Sequence, residues 1–221
     1  MTALVDIDRP EPRWPAIIAA FAAVALHFAL PAALRFGPPG ALALIVAILV
    51  LAAHVTRKRG MHRANEMLGY GVLLVLTGGL VFGVVALLNA LLHGSAKAPA
   101  LLKSATVLWT TNVIVFASWY WRLDGGGPNQ REKKDAHTEG AFLFPQMTVA
   151  APNGDDVTIA EHEKWRPHFV DYLFVAFNTS TAFSATDAPV LSKWAKIAMM
   201  IQAIISFTTV VLIAARAVNI L

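Results

Sequence analysis

An all-helical membrane fold is what this sequence predicts: about five transmembrane helices plus a re-entrant pore-like element, or six full spans, with a short extended cytoplasmic hairpin. Three observations carry that expectation. Of 221 residues, 57% are hydrophobic and only 14% charged, against roughly a quarter charged in a soluble domain. The mean hydropathy is +0.57, and the apolar residues fall in long uncharged runs of the length a bilayer requires. The basic residues gather in the loops that flank those runs, as membrane anchoring predicts.

That placement also accounts for the formal charge of +4 and the pI near 9.6, and no nucleic-acid partner is expected. The chain has no cysteine, which excludes disulfides, thiolate metal sites and thiol catalysis. Residues 1–13 read as a flexible polar tail, with Asp6, Asp8 and Glu11 among prolines. Nothing there resembles a cleavable signal.

The first span is expected from Trp14 to about Leu34, closed by Arg35, with His27 one turn before a proline kink at Pro31. Phe36-Gly37-Pro38-Pro39-Gly40 reads as a turn. A second span, Ala41 to Val55, ends at the basic cluster Arg57-Lys58-Arg59-Gly60-Met61-His62-Arg63, which places that loop and the N-terminus in the cytoplasm. In the third span, Leu68 to Leu92, Gly79-x-x-x-Gly83 allows another helix to approach closely. A fourth runs from Ala100 to Trp121, with Thr110, Thr111 and Asn112 near its middle and Trp119-Tyr120-Trp121 as an aromatic belt. Residues 14–121 thus form a four-helix bundle.

Residues 122–168 read as a soluble loop. Asp124-Gly125-Gly126-Gly127-Pro128 is a turn, Gln130 to Glu139 is charged and solvated, and Phe142 to Met147 is an apolar island. Two extended pieces, Met147–Ala150 and Val157–Ile159, flank a turn at Pro152-Asn153-Gly154-Asp155 and form the expected hairpin. Glu161, His162, Glu163 and His168 lack the spacing that sets two ligands on one helical face, so no metal and no cofactor is expected. Residues 169–221 hold a pore-like element and a final helix from Ser192 to Leu221, interrupted by Gln202, Ser206, Thr208 and Thr209.

Residues 169–187 pose the physical question. An aromatic run too short for comfortable crossing turns into Asn178, Thr179, Ser180, Thr181, Ser184 and Thr186, ending on Asp187. Small polar side chains at membrane depth must face protein or water. The segment is either a half-helix that dips in and returns as extended chain, or a full span whose hydroxyls form an interhelical seam.

Thr179-Ser180-Thr181-Ala182-Phe183-Ser184-Ala185-Thr186-Asp187 resembles the Thr-x-Thr-Thr-Val-Gly-Tyr-Gly-Asp signature of tetrameric potassium channels. The preceding Phe169 to Phe177 resembles their pore helix, and Pro189, a basic residue and a long apolar helix follow in the family's order. Strict identities are Thr179, Thr181 and Asp187. Ser184 and Thr186 replace the filter glycines and Ala185 the aromatic between them, so weak or non-potassium selectivity is expected. The wider chain, through Trp119 to Pro128, Phe142 to Met147 and Ala214 to Leu221, is similar to a bacterial family of multi-pass inner-membrane proteins to which no activity is assigned.

The resemblance implies a homotetrameric, cation-conducting pore lined by Asn178, Thr179, Thr181, Ser184, Thr186 and Asp187, with a monovalent cation as the permeant species and lipid as the surrounding partner. The alternative is a structural or accessory membrane protein whose polar residues only join helices. A transporter using His27, Asp171 and Arg216 ranks third. No nucleophile–base pair or cofactor fingerprint points to an enzyme.

Overall fold

The computed structural model describes residues 11–93, 97–133, 140–147, 165–181 and 188–218. These are helical throughout apart from turns and one isolated β-bridge. In chain order the helices are α1 (Trp14–Ala29), α2 (Ala41–Lys58), α3 (His62–Leu92), α4 (Ala98–Leu123), the short α5 (Pro128–Arg131), α6 (Phe169–Thr181) and α7 (Lys193–Val218). The four around α2, α3, α4 and α7 are long and apolar enough to cross a membrane, which marks a membrane-embedded protein. The expected hairpin, Met147–Ala150 with Val157–Ile159, lies outside the described residues beyond Met147.

Helix α1 stops earlier than expected. Pro31 follows its end, and Ala32–Leu34 form a 3-10 turn instead of more α-helix. Proline cannot accept a place in the preceding helical ladder, so the carbonyls there need other donors. Arg35 supplies them, donating from Nε to the Leu30 carbonyl at 2.6 Å and from Nη2 to that of Phe28 at 2.8 Å. Gly40, at φ 83°, turns the chain into α2.

Helix α4 is the centre of the bundle. It packs against α1, α3, α6 and α7, while α2 leans on α3 from outside. Val115, Ala117 and Tyr120 on α4 are fully buried. Close approach of α3 is made possible by glycine: a methyl at Gly79 would stand 2.7 Å from Leu42 Cδ1, and one at Gly83 would stand 2.7 Å from Leu108 Cδ2. Small residues are how helices gain contact when lipid gives no hydrophobic driving force. Outward faces carry Ile18, Phe21, Leu44, Leu51, Leu74, Ile204 and Phe207.

Trp119, Tyr120 and Trp121 do not form the expected outward belt. Tyr120 is fully buried and Trp121 nearly so, and Trp119 donates to Thr77 Oγ1 at 2.9 Å while stacking on Tyr70. Their helix is central, so all three rings meet protein. Beyond them Gly125, Gly126 and Gly127 all take positive φ. A side chain at Gly127 would strike the Arg122 carbonyl, so the turn can be this tight only with glycine.

The turn folds Arg131 back beneath Trp121. Within a stretch expected to be solvated, Arg131 is buried. It pairs with Glu11 at 2.8 Å, donates to the carbonyls of Trp121 at 2.8 Å and Asp124 at 2.5 Å, and lies over the rings of Trp121 and Tyr172. Asp124, also buried, accepts from Ala141 N and from Tyr172 OH. Phe142 and Phe144 pack into the same end. In its described parts, the 122–168 segment therefore lies against the bundle.

Gly83→Val should push α3 from α4 and lower the stability of the solubilised protein by about 1–3 kcal/mol. Gly78→Val, where nothing lies within 4 Å, should leave it within about 0.5 kcal/mol of the wild type. Thermal unfolding in a neutral detergent reads both, and equal effects would refute the packing argument.

Candidate functional site

Two helices begin side by side at the Asp124 end. Tyr172, in the first turn of α6, donates to Asp124 Oδ2 at 2.6 Å. Phe142 touches the rings of Tyr172, Tyr120 and Trp194, the last in the first turn of α7. Val190, just before α7, forms an antiparallel bridge with Phe142, with Leu143 N donating to Pro189 O and Leu191 N to Ala141 O. Asp171 caps α6 by accepting from His168 N at 2.6 Å, the backward half of a capping box.

From that shared start the two helices run in the same direction. Gln202 on α7 meets Ala176 and Ser180 on α6, and Ser206, one turn on, meets Ser180. Ser206 is midway along α7. So α6 ends where its neighbour is half complete. With 13 residues it is about 20 Å long, short of the ~30 Å hydrocarbon layer.

The contact between α4, α6 and α7 is a polar seam sealed from the surface. Gln202 is fully buried and uses every group it has. Its Nε2 donates to the Ala176 carbonyl and to Ser180 Oγ, both at 2.7 Å, and its Oε1 accepts from Tyr120 OH at 2.5 Å. Its own carbonyl accepts from Asn112 Nδ2 at 3.2 Å. The Ser180 carbonyl, near the end of α6, accepts from Ser206 Oγ and from Trp109 Nε1. Asn112 Oδ1 is buried without a partner among the described residues.

Compared with protein-family models, curated proteins and solved structures, the chain has no match.

Of the expected pore residues, Asn178, Thr179 and Thr181 sit half-buried on the last turn of α6. Two of their hydroxyls turn inward to their own helix, Thr179 Oγ1 to Val175 O and Thr181 Oγ1 to Asn178 O. Ser184, Thr186 and Asp187 lie outside the described residues. Thr110 and Thr111 likewise bond to carbonyls one turn back. His27, in the last turn of α1, lines a gap of about 10 Å³ with Gly79, Leu80 and Thr111, while Asp171 is in the first turn of α6.

Reading the sequence did not find Tyr120 or Trp109 as seam members. One signal was available: Gln202, Ser206 and Thr209 recur at four and three residues, a single helical face, and all three are buried.

Gln202→Leu should strand the Tyr120 hydroxyl and Ser180 together, a loss of about 1–3 kcal/mol. Tyr120→Phe added to it should cost little more, because the partner is already gone. A double-mutant cycle by thermal unfolding measures this, and strictly additive losses would refute the pairing.

Proposed function

We propose that this chain is the subunit of a homo-oligomeric cation pore of a bacterial inner membrane, with α6 as a half-depth element and α1, α2, α3, α4 and α7 as crossing helices. The observation that carries this reading is the parallel pairing of α6 with α7 from a common end. An α6 that ends beside the middle of α7 while both helices start at one end is the arrangement a re-entrant element would give. Seven peptide steps separate Thr181 from Ala188, a reach of about 25 Å, which exceeds the ~20 Å length of α6.

Sidedness follows from charge. Arg57, Lys58, Arg59 and Arg63 belong to the end that also holds Arg13, Arg131, Lys193 and Lys196. Positive residues favour the cytoplasm, so α6 enters from the cytoplasmic side, as in glutamate-receptor channels rather than potassium channels. The resemblance of residues 179–187 to a selectivity filter supplies the remaining step: hydroxyls of Thr179, Thr181, Ser184 and Thr186 replace ion hydration, and Asp187 rings one mouth with charge. Four subunits follow from the same resemblance.

One observation favours a second reading, an accessory membrane protein. The seam of Tyr120, Ser180, Gln202 and Ser206 closes within one chain, so those groups need no oligomer to satisfy them.

Reconstituted into liposomes, the full-length protein should pass monovalent cations, and Asp187→Asn should reduce cation-over-anion selectivity several-fold. A correctly assembled oligomer that passes no ions would sink the pore and leave the accessory role. Because the chain lacks cysteine, single cysteines report sidedness directly. One at Lys133 should react with an impermeant reagent only from inside, and one at Lys97 only from outside.

A further inference from the structure

At their cytoplasmic ends, helices α1 to α4 do not close on one another. Between them lies a cavity of about 120 Å³. Ala20, Val72 and Leu73 form an apolar part of its lining, and Arg13, Arg57 and Arg122 supply positive charge, with no carboxylate among the lining residues.

Two of those arginines, Arg13 and Arg122, are only partly satisfied among the described residues. Arg122 is buried, at 8% exposure. Its Nη2 donates to the carbonyls of Asn65 and Glu66, each at 2.9 Å, and it stands over the Tyr70 ring. Its Nε has no partner among the described residues. Arg13 donates from Nη2 to Asn129 Oδ1 at 3.0 Å and to Glu132 Oε1 at 2.8 Å, yet its Nε and Nη1 are buried and unpartnered. Glu132 also lies 3.6 Å from Arg57, so one carboxylate serves two guanidiniums. Burial already holds Arg13 down to about 10, and the nearby Arg57 and Arg122 work in the same direction. Unpaired N–H groups on a buried charge are costly and rare. Room for this arrangement is built into α3: a methyl at Gly69 would stand 1.9 Å from Arg122 Nη2, so only glycine admits the guanidinium.

The geometry points to a binding site for the phosphate head group of an anionic lipid, held by Arg13, Arg57 and Arg122, with the apolar lining receiving the first part of its tail. Guanidinium groups and phosphate oxygens make short, charge-assisted hydrogen bonds, which would occupy the free N–H groups. A basic pocket between helices at the cytoplasmic face is where such lipids are recognised. Free phosphate shares the head-group chemistry but has nothing to place against Ala20, Val72 and Leu73. The site is separate from the polar seam of α4, α6 and α7, and does not depend on conduction there.

The test uses the full-length protein in a neutral detergent, titrated with short-chain phosphatidic acid, phosphatidylcholine of the same chain length, and inorganic phosphate, with thermal unfolding as the readout. Phosphatidic acid should stabilise the protein saturably, and the two others weakly or not at all. Arg57→Gln and Arg122→Gln should each weaken the apparent affinity about tenfold or more. Should Arg122→Gln fail to fold, Arg57→Gln and the cavity-filling Ala53→Leu carry the test, since Arg57 is partly exposed and Ala53 lines the opening. Equal stabilisation by phosphatidylcholine, or affinity unchanged in Arg57→Gln and Ala53→Leu, would overturn the site. Equal affinity for inorganic phosphate would overturn its assignment to lipid.

Discussion

A primary amide has no place in hydrocarbon unless each of its groups finds a partner inside the protein. Gln202 meets that demand by joining three helices: its side chain reaches α6 and Tyr120 of α4, and its carbonyl receives Asn112. The register of α6 against α7 follows. If α6 slid by one residue, the Ala176 carbonyl and Ser180 hydroxyl would leave the amide together. Lipid does not drive helices together as water does, so a shared amide and close glycine contacts fix what apolar area alone would leave free to slide.

The long spans were legible because length and hydropathy are properties of a contiguous window. Residues 62–92 and 98–123 fall where their apolar runs are, extended at the ends by a turn or so. The inward turn of Trp119-Tyr120-Trp121 was not legible, because an interfacial belt and a buried cluster have the same composition. What distinguishes them is which helix is central, and that emerges only when α1, α3, α6 and α7 all choose α4. Arg131 shows the same limit: its partners Glu11, Trp121 and Tyr172 are scattered along the chain, and no local pattern couples them.

Charge divides between the ends of the bundle in a way that helix packing reinforces. Glu11, Arg13, Glu132 and Arg131 tie the start of α1 to the chain just after α4. The Asp124 carboxylate ties the Phe142 segment to α6. The described parts of segments that composition alone marks as loop thus pack as a cap on one end of the bundle, where α6 and α7 both start.

The end of α6 is where the two functional readings part. A helix that finishes inside the bilayer leaves carbonyls without intrahelical partners and the negative end of its dipole in a low-dielectric region. Protein donors can answer that, or a cation can. At Ser180 the protein answers, with Trp109 from α4 and Ser206 from α7 both donating to its carbonyl. Those donors come from α4 and α7 of the same chain, so the Ser180 carbonyl is already answered by protein. Asn178, Thr179 and Thr181 lie on the remainder of the same turn, half-buried among the described residues. In the proposed pore, a cation drawn to the dipole would be met on that side, so the proposal needs an oligomer that brings those faces together.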